Sequence, residues 1–297
     1  MADHRLHDDE VDTSPAVARS LVDAQFPQWA GLTVSPGPTT GTVNVLHRLG
    51  PDLVVRLPRV PRTAGEVDRE ARWLDRLRPH VPVALPEQVA VGVPCEAYSG
   101  PWSIYRWIDG QPPEVGALAG GRQLAVDLAG FISALRAVDT GGASAPGGRR
   151  GGPLVVRDGP TRDAIGAVGH LVDVQLATAA WEAALRVPGW TGESVWVHAD
   201  LSPGNLLTRD GRLHAVLDFG SCGIGDPAAD LIVAWNLLPA DGRATFRDAL
   251  AVDDATWARG RAWALSIALI QLPYYEHSLP TMAANALHTI DQVLSDP

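Results

Sequence analysis

Apolar positions are helix-spaced near the start of the chain, mostly strand-spaced up to about Trp107, and helix-spaced again over much of the remainder. Ser14 before Pro15 reads as an N-cap with a first helical proline, and Val17, Leu21 and Val22 define a short amphipathic helix ending near Phe26. Residues 35–50 form a turn-rich loop running into a strand, and Leu53, Val54, Val55, Arg56 and Leu57 form the next. Thr63 and Glu66 then fit a capping box, and Val67, Ala71, Leu74 and Leu77 carry a helical stripe to Arg78. Segments 88–93 and 103–108 complete a small sheet.

The second part is predicted mostly helical. Leu124, Leu128, Phe131, Ile132 and Leu135 share one face of a helix over 121–138, and a second helical block covers 161–186. Between them residues 140–152 are too glycine-rich to pack, and Arg149 and Arg150 read there as solvated loop charges. Helices over 231–238, 242–250, 255–277 and 282–294 are punctuated by Pro239, Asp253-Asp254 and Pro280. No internal repeat is visible.

Composition narrows the class of function. With 46% hydrophobic and 20% charged residues the chain reads as a soluble globular protein. Its net charge of −10 argues against nucleic acid as the main partner, because phosphate backbones demand a basic surface. Cys95 and Cys222 have neither metal-type spacing nor the number for a disulfide framework. The first residues are acidic and histidine-containing where a secretion leader needs a basic patch and an apolar core, and residues 264–272 are too short to span a bilayer. A cytoplasmic monomer without a membrane anchor is expected.

Candidate chemistry concentrates between Val195 and Leu231. His198, Asp200 and Asn205 are spaced H-x-D-x-x-x-x-N, and Asp218-Phe219-Gly220 comes after them. Between them, apolar runs flank Arg209-Asp210-Gly211-Arg212, whose Asp-Gly pair favours a tight hairpin turn with positive φ. Folding that hairpin brings Asn205 and Asp218 to one end, where their oxygens suit a single hard cation. One carboxylate to receive a hydroxyl proton and others to hold Mg²⁺ are what phosphoryl transfer requires, and the spacing matches two elements of kinases.

VHADLSPGNLL followed by AVLDFGSCGIGDPAADL resembles the aminoglycoside phosphotransferase family, small-molecule kinases with a protein-kinase-like fold. The resemblance implies an α/β (α+β) two-lobed fold: a small β-sheet N-lobe over residues 1–107 binding nucleotide, and a mostly helical C-lobe over 108–297 with the catalytic hairpin and substrate site. It implies Asp200 as catalytic base, with His198 grouped beside it as catalytic although it reads more as a hydrogen-bonded structural residue than as a proton carrier, and Asn205 and Asp218 as Mg²⁺ ligands. Asp226 is expected to be structural, and Asp230 to open a substrate-lobe helix. Ala199 stands where many relatives carry glycine, a change expected to cost little.

Weaker echoes lie in the first lobe. Arg56 sits where kinases place a lysine on the α- and β-phosphates, and an arginine among aliphatics needs a partner. Glu70, in register with Leu74 and Leu77, is the candidate, with Glu66 as the alternative; a solvent-facing arginine on an edge strand is the rival reading. Thr40 and Gly41 are candidate phosphate-loop positions, Asn44 matches a position the family often fills, and the backbone of Arg106, Trp107 and Ile108 would meet a purine edge. Either ATP or GTP satisfies that reading.

The implied acceptor is a hydroxyl of an antibiotic. From Pro227 onward eight acidic residues face four arginines, which favours an amine-bearing, aminoglycoside-like molecule, with Asp230, Tyr274 and Glu276 as substrate candidates. A kinase of an ordinary amino alcohol or sugar, and a non-catalytic nucleotide-binding relative, are the alternatives.

Overall fold

A computed structural model describes residues 9–38, 42–61, 64–115, 121–141 and 150–296. The chain divides into two compact units, Met1–Pro79 with Ala84–Gly110, and His80–Val83 with Gln111–Pro297.

The first unit opens with helix α1 (Pro15–Gln25), capped by the Ser14 hydroxyl accepting from Val17 N–H. Strands β1 (Val34–Pro36), β2 (Asn44–Leu49), β3 (Leu53–Pro58), β4 (Gln88–Gly92) and β5 (Trp102–Arg106) form one antiparallel sheet in the order β1-β2-β3-β5-β4, and helix α2 (Ala64–Leu77) comes after β3. Leu53, Val55, Leu57, Trp102 and Ile104 close the core against Leu21 and Val22 of α1. Gly92 is required by that packing, since a Cβ there would sit 2.0 Å from the Trp102 indole. Strand β3 lies between β2 and β5, so Arg56 is on a central strand and the edge-strand reading is excluded.

The second unit contains helix α3 (Arg122–Arg136), then α4 (Asp158–Ala167) and α5 (Val174–Leu185). The single helical block expected over 161–186 is broken, because the Asp173 carboxylate accepts from Leu176 N–H and starts a fresh helix. Strand β6 (Val195–Val197) pairs with β9 (Gly223–Gly225), and β7 (Leu206–Arg209) pairs with β8 (Arg212–Val216). Asp210 and Gly211, with φ of 52° and 73°, make the expected tight turn between β7 and β8.

After β9 the chain runs through a 3₁₀ segment, Pro227–Ile232, into α6 (Val233–Asn236), α7 (Ala240–Leu250), α8 (Asp254–Tyr275) and α9 (Pro280–Ser295). Helix α8 carries buried residues all round, including Trp263, Leu265, Ser266 and Leu269, and packs against α9 and the 3₁₀ segment. Among the described residues no helix is long and apolar enough to cross a membrane.

Candidate active site

The loop joining β6 to β7 has its backbone taken up on nearly every side. Asp230 is fully buried, and its two carboxylate oxygens accept from the consecutive N–H groups of His198 (3.0 Å) and Ala199 (2.7 Å). The next N–H, of Asp200, donates to His198 Nδ1 at 3.2 Å. On the carbonyl side, Ala199 accepts from Arg150, Asp200 from the Asn205 amide, and Leu201 from the Asn236 amide. These contacts bend Ala199 into the left-handed region at φ 63°. An L-residue with a Cβ is disfavoured there, so the expectation that alanine for glycine costs little needs correction. Ala199→Gly is expected to stabilise the protein by about 0.5–1 kcal/mol, after subtracting glycine's greater unfolded-state entropy, readable as a raised midpoint in urea.

His198 serves the loop. Accepting at Nδ1 puts its ring proton on Nε2, which meets the Leu217 carbonyl at 2.9 Å, and the ring stands edge-on to Phe219 with centroids 4.7 Å apart. Both nitrogens are engaged and the residue is fully buried, so the catalytic assignment of His198 is corrected to positioning. It ties the Asp200 loop to the Asp218 turn.

Asp200 itself keeps a side-chain exposure of 29%. Asn205 donates its side-chain amide nitrogen to the Asp200 backbone carbonyl (2.9 Å) and carboxylate (3.4 Å), which leaves its side-chain oxygen as the atom that could meet a cation. Leu217 N–H donates to the Asn205 backbone carbonyl at 2.8 Å, so Asn205 and Asp218 stand at the same end of the hairpin. Asp218 has φ 57°, and its carboxylate accepts from Gly220 N–H. An amide oxygen and a carboxylate at one hairpin end form a donor set that fits Mg²⁺.

A contact that sequence reading missed fastens the hairpin to α3. Asp127 accepts a two-pronged bond from Arg212 (2.8 and 2.9 Å) and a third from Leu213 N–H. Burial alone would raise the Asp127 carboxyl, but these donors and the Gln123 amide outweigh it and hold it below the ordinary carboxylate range.

Arg150 was missed as well. Expected as a solvated charge, it donates through one Nη1 to the Asp200 carboxylate and to the Ala199 carbonyl. The neighbouring Gly151 adopts φ 84°, and its carbonyl accepts from Asp226 N–H at 2.8 Å. Gly225 permits that approach, because a Cβ there would lie 2.7 Å from the Gly151 oxygen.

The substrate assignments fare differently. Asp230 is spent on backbone N–H groups and has no surface, so the structure removes it from any substrate contact. Its carboxyl is pushed up by burial, with His198, the two N–H donors and Arg136 opposing. Asp226 is structural as expected, capping Ala228 N–H and pairing with buried Arg259 at 2.7 Å. Glu276 is engaged by His170 at 2.8 Å, which lowers its carboxyl, and Tyr274 stacks edge-on against Tyr275. None of these contacts brings Tyr274 or Glu276 to Asp200.

In the first unit Arg56 Nη1 meets the Glu70 carboxylate at 2.7 Å, with side chains 12% and 5% exposed. Asn44 begins β2 rather than lying in the loop; with its amide turned so that the oxygen faces Arg56, it accepts from Nη2 (2.9 Å) and Nε (3.1 Å). Tyr105 takes a further contact at 3.4 Å. Asn44 therefore orients Arg56. Thr40, Gly41 and the Thr63 cap lie outside the described residues. Arg106 N–H donates to the Glu87 carbonyl and Trp107 N–H to the Asp52 carbonyl, while Arg48 lies 4.0 Å over the Trp107 ring. Of the three expected purine-edge residues, Arg106 and Trp107 therefore have their N–H groups already used.

Comparison with known proteins points in the same direction. An aminoglycoside 3'-phosphotransferase of Escherichia coli is 37% identical over 65 residues, which is 17% of this chain and 24% of that protein. The GDP complex of wild-type aminoglycoside 2'-phosphotransferase-IIIa superposes with a TM-score of 0.74 at 20% identity, covering 96% of this chain and 99% of that one. The macrolide 2'-phosphotransferase MphH of Brachybacterium faecium, as apoenzyme, gives a TM-score of 0.60 at 25% identity, covering 95% and 98%. The model of the phosphotransferase enzyme family matches residues 40–263, and the chain belongs to that family.

Proposed function

We propose that the protein transfers the γ-phosphate of ATP or GTP to a hydroxyl of a small hydroxylated antibiotic. The observation that carries the reading is the Asp200 carboxylate, partly exposed on a loop whose backbone is otherwise pinned, beside Asn205 and Asp218 at one hairpin end. The acceptor O–H gives its proton to Asp200 as the oxygen bonds to the γ-phosphorus. The bond to the bridging oxygen breaks, a nucleoside diphosphate leaves, and Asp200 returns its proton to solvent. Positioning of the base supplies most of the protein's part, because the loop need not reorganise.

Asn205 and Asp218 would hold Mg²⁺, which when bound neutralises charge on the phosphates. Arg56 differs from a kinase lysine. Its planar fork is held by Glu70, Asn44 and Tyr105, so it presents a fixed positive charge to the phosphates, where lysine would offer a mobile one. The neighbours with bound GDP support nucleotide use, and aminoglycoside and macrolide enzymes among the relatives support an antibiotic acceptor. A monomer working in the cytoplasm, where nucleotide is abundant, suits this chemistry.

The test is acceptor-dependent release of nucleoside diphosphate by the purified chain with Mg²⁺, across aminoglycosides, macrolides, amino alcohols and sugars. Turnover with an antibiotic at submillimolar KM is the expected result. Turnover of a common metabolite alone would retain the kinase and remove the antibiotic, and no turnover with any alcohol would remove both.

A further inference from the structure

We propose that Arg150 sets the charge of the acceptor, so that the enzyme takes a neutral or singly charged alcohol in preference to a polyamine. The inference rests on Asp200 being the base. An acceptor hydroxyl must then reach a carboxylate that already carries a guanidinium on Oδ1 and shares that guanidinium with the Ala199 carbonyl. The two side chains retain 21% and 29% exposure, so the pair meets the arriving molecule directly. Arg150 does not hang on a loose arm, since the Gly151 carbonyl next to it is fixed by Asp226 N–H and seated on Gly225.

Charge accounting around the loop points the same way. A polyamine is usually held by several unneutralised carboxylates. Here Asp200 is neutralised by Arg150, Asp226 by Arg259, and Asp230 is enclosed with two N–H donors and Arg136 nearby. Glu276, the other acidic candidate, is taken by His170. A polyamine brings several ammonium groups toward the Arg150 guanidinium, whose charge already offsets the one carboxylate in reach, that of Asp200. At partly buried separations such a like-charge approach weakens association by at least ~10-fold.

The experiment compares Arg150→Gln and Arg150→Lys with the unmodified chain, using kanamycin as the polyamine and erythromycin as the mono-amine. Both kcat/KM and equilibrium binding by calorimetry are read, with KM for nucleotide and the melting temperature as controls for a merely structural effect. Arg150→Gln is expected to tighten kanamycin binding by ~10-fold and to raise its kcat/KM relative to erythromycin by a similar factor, while Arg150→Lys keeps the original preference. The gain should shrink in high salt. Unchanged kanamycin binding in a folded Arg150→Gln protein, or a native preference for kanamycin over erythromycin, would overturn the proposal. Calorimetry separates this from the kinase reading. Tighter kanamycin binding without any phosphorylation would keep the charge selection and sink the transferase.

Discussion

Asp200→Asn is expected to lower turnover by at least ~10²-fold while leaving the melting temperature and nucleotide binding nearly unchanged. Asparagine is the sharper substitution, because its carbonyl oxygen still accepts from Arg150 and its backbone still meets His198 and Asn205. What it removes is the capacity to take a proton. Alanine would also strand the Arg150 guanidinium, mixing a lost base with a lost ion pair. The measurement is kcat under saturating acceptor and nucleotide, beside nucleotide affinity by calorimetry. A kcat within a few-fold of the unmodified protein would take Asp200 out of the chemistry and turn its contacts with Arg150 and Asn205 into architecture alone.

The hairpin, and the placing of Asn205 and Asp218 at one end of it, were legible because their signals are local. Asp210-Gly211 determines its own turn, and strand alternation on either side brings Asn205 and Asp218 to one end without help from the remainder of the chain. The Arg56 and Glu70 pair was legible for a related reason: an arginine in an aliphatic strand demands a partner, and the next helix supplies one acid in register with its apolar stripe. Arg150 offered no such signal. It lies in a glycine-rich stretch without periodicity, and its partner is 50 residues away, so only the folded chain reveals the pair. Asp230 misled for the opposite reason. A carboxylate shortly after the Asp218 turn looks available, whereas the backbone of residues 198 and 199 needs an acceptor that only a buried acid provides. Asn44 was noticed as a family position, but its place on β2 beside Arg56 depends on strand register that composition does not encode.

Asp230→Ala is expected to have the largest effect on stability. The carboxylate is fully buried and is the acceptor for two consecutive backbone N–H groups, and Arg136 lies close enough for their charges to interact. Truncation leaves two buried donors unpaired at roughly 1–3 kcal/mol each, and it weakens the compensation of a buried guanidinium. A total on the order of 3–5 kcal/mol is a large fraction of the roughly 5–15 kcal/mol that typically separates folded from unfolded domains. Turnover should fall too, even at temperatures where the variant stays folded. Ala199 adopts its left-handed conformation between the Asp230 and Arg150 contacts, and relaxing it displaces Asp200. A displacement of about 1 Å at a reacting group can cost ~10²-fold in rate. Asp230→Asn separates the two effects, since its oxygen can serve one N–H while its NH₂ opposes the other. It should unfold at an intermediate urea concentration with kcat lowered nearly as far as in the alanine variant. Unfolding at the unmodified midpoint together with unmodified kcat in Asp230→Ala would mean that His198, Arg150 and Asn236 hold the loop without it.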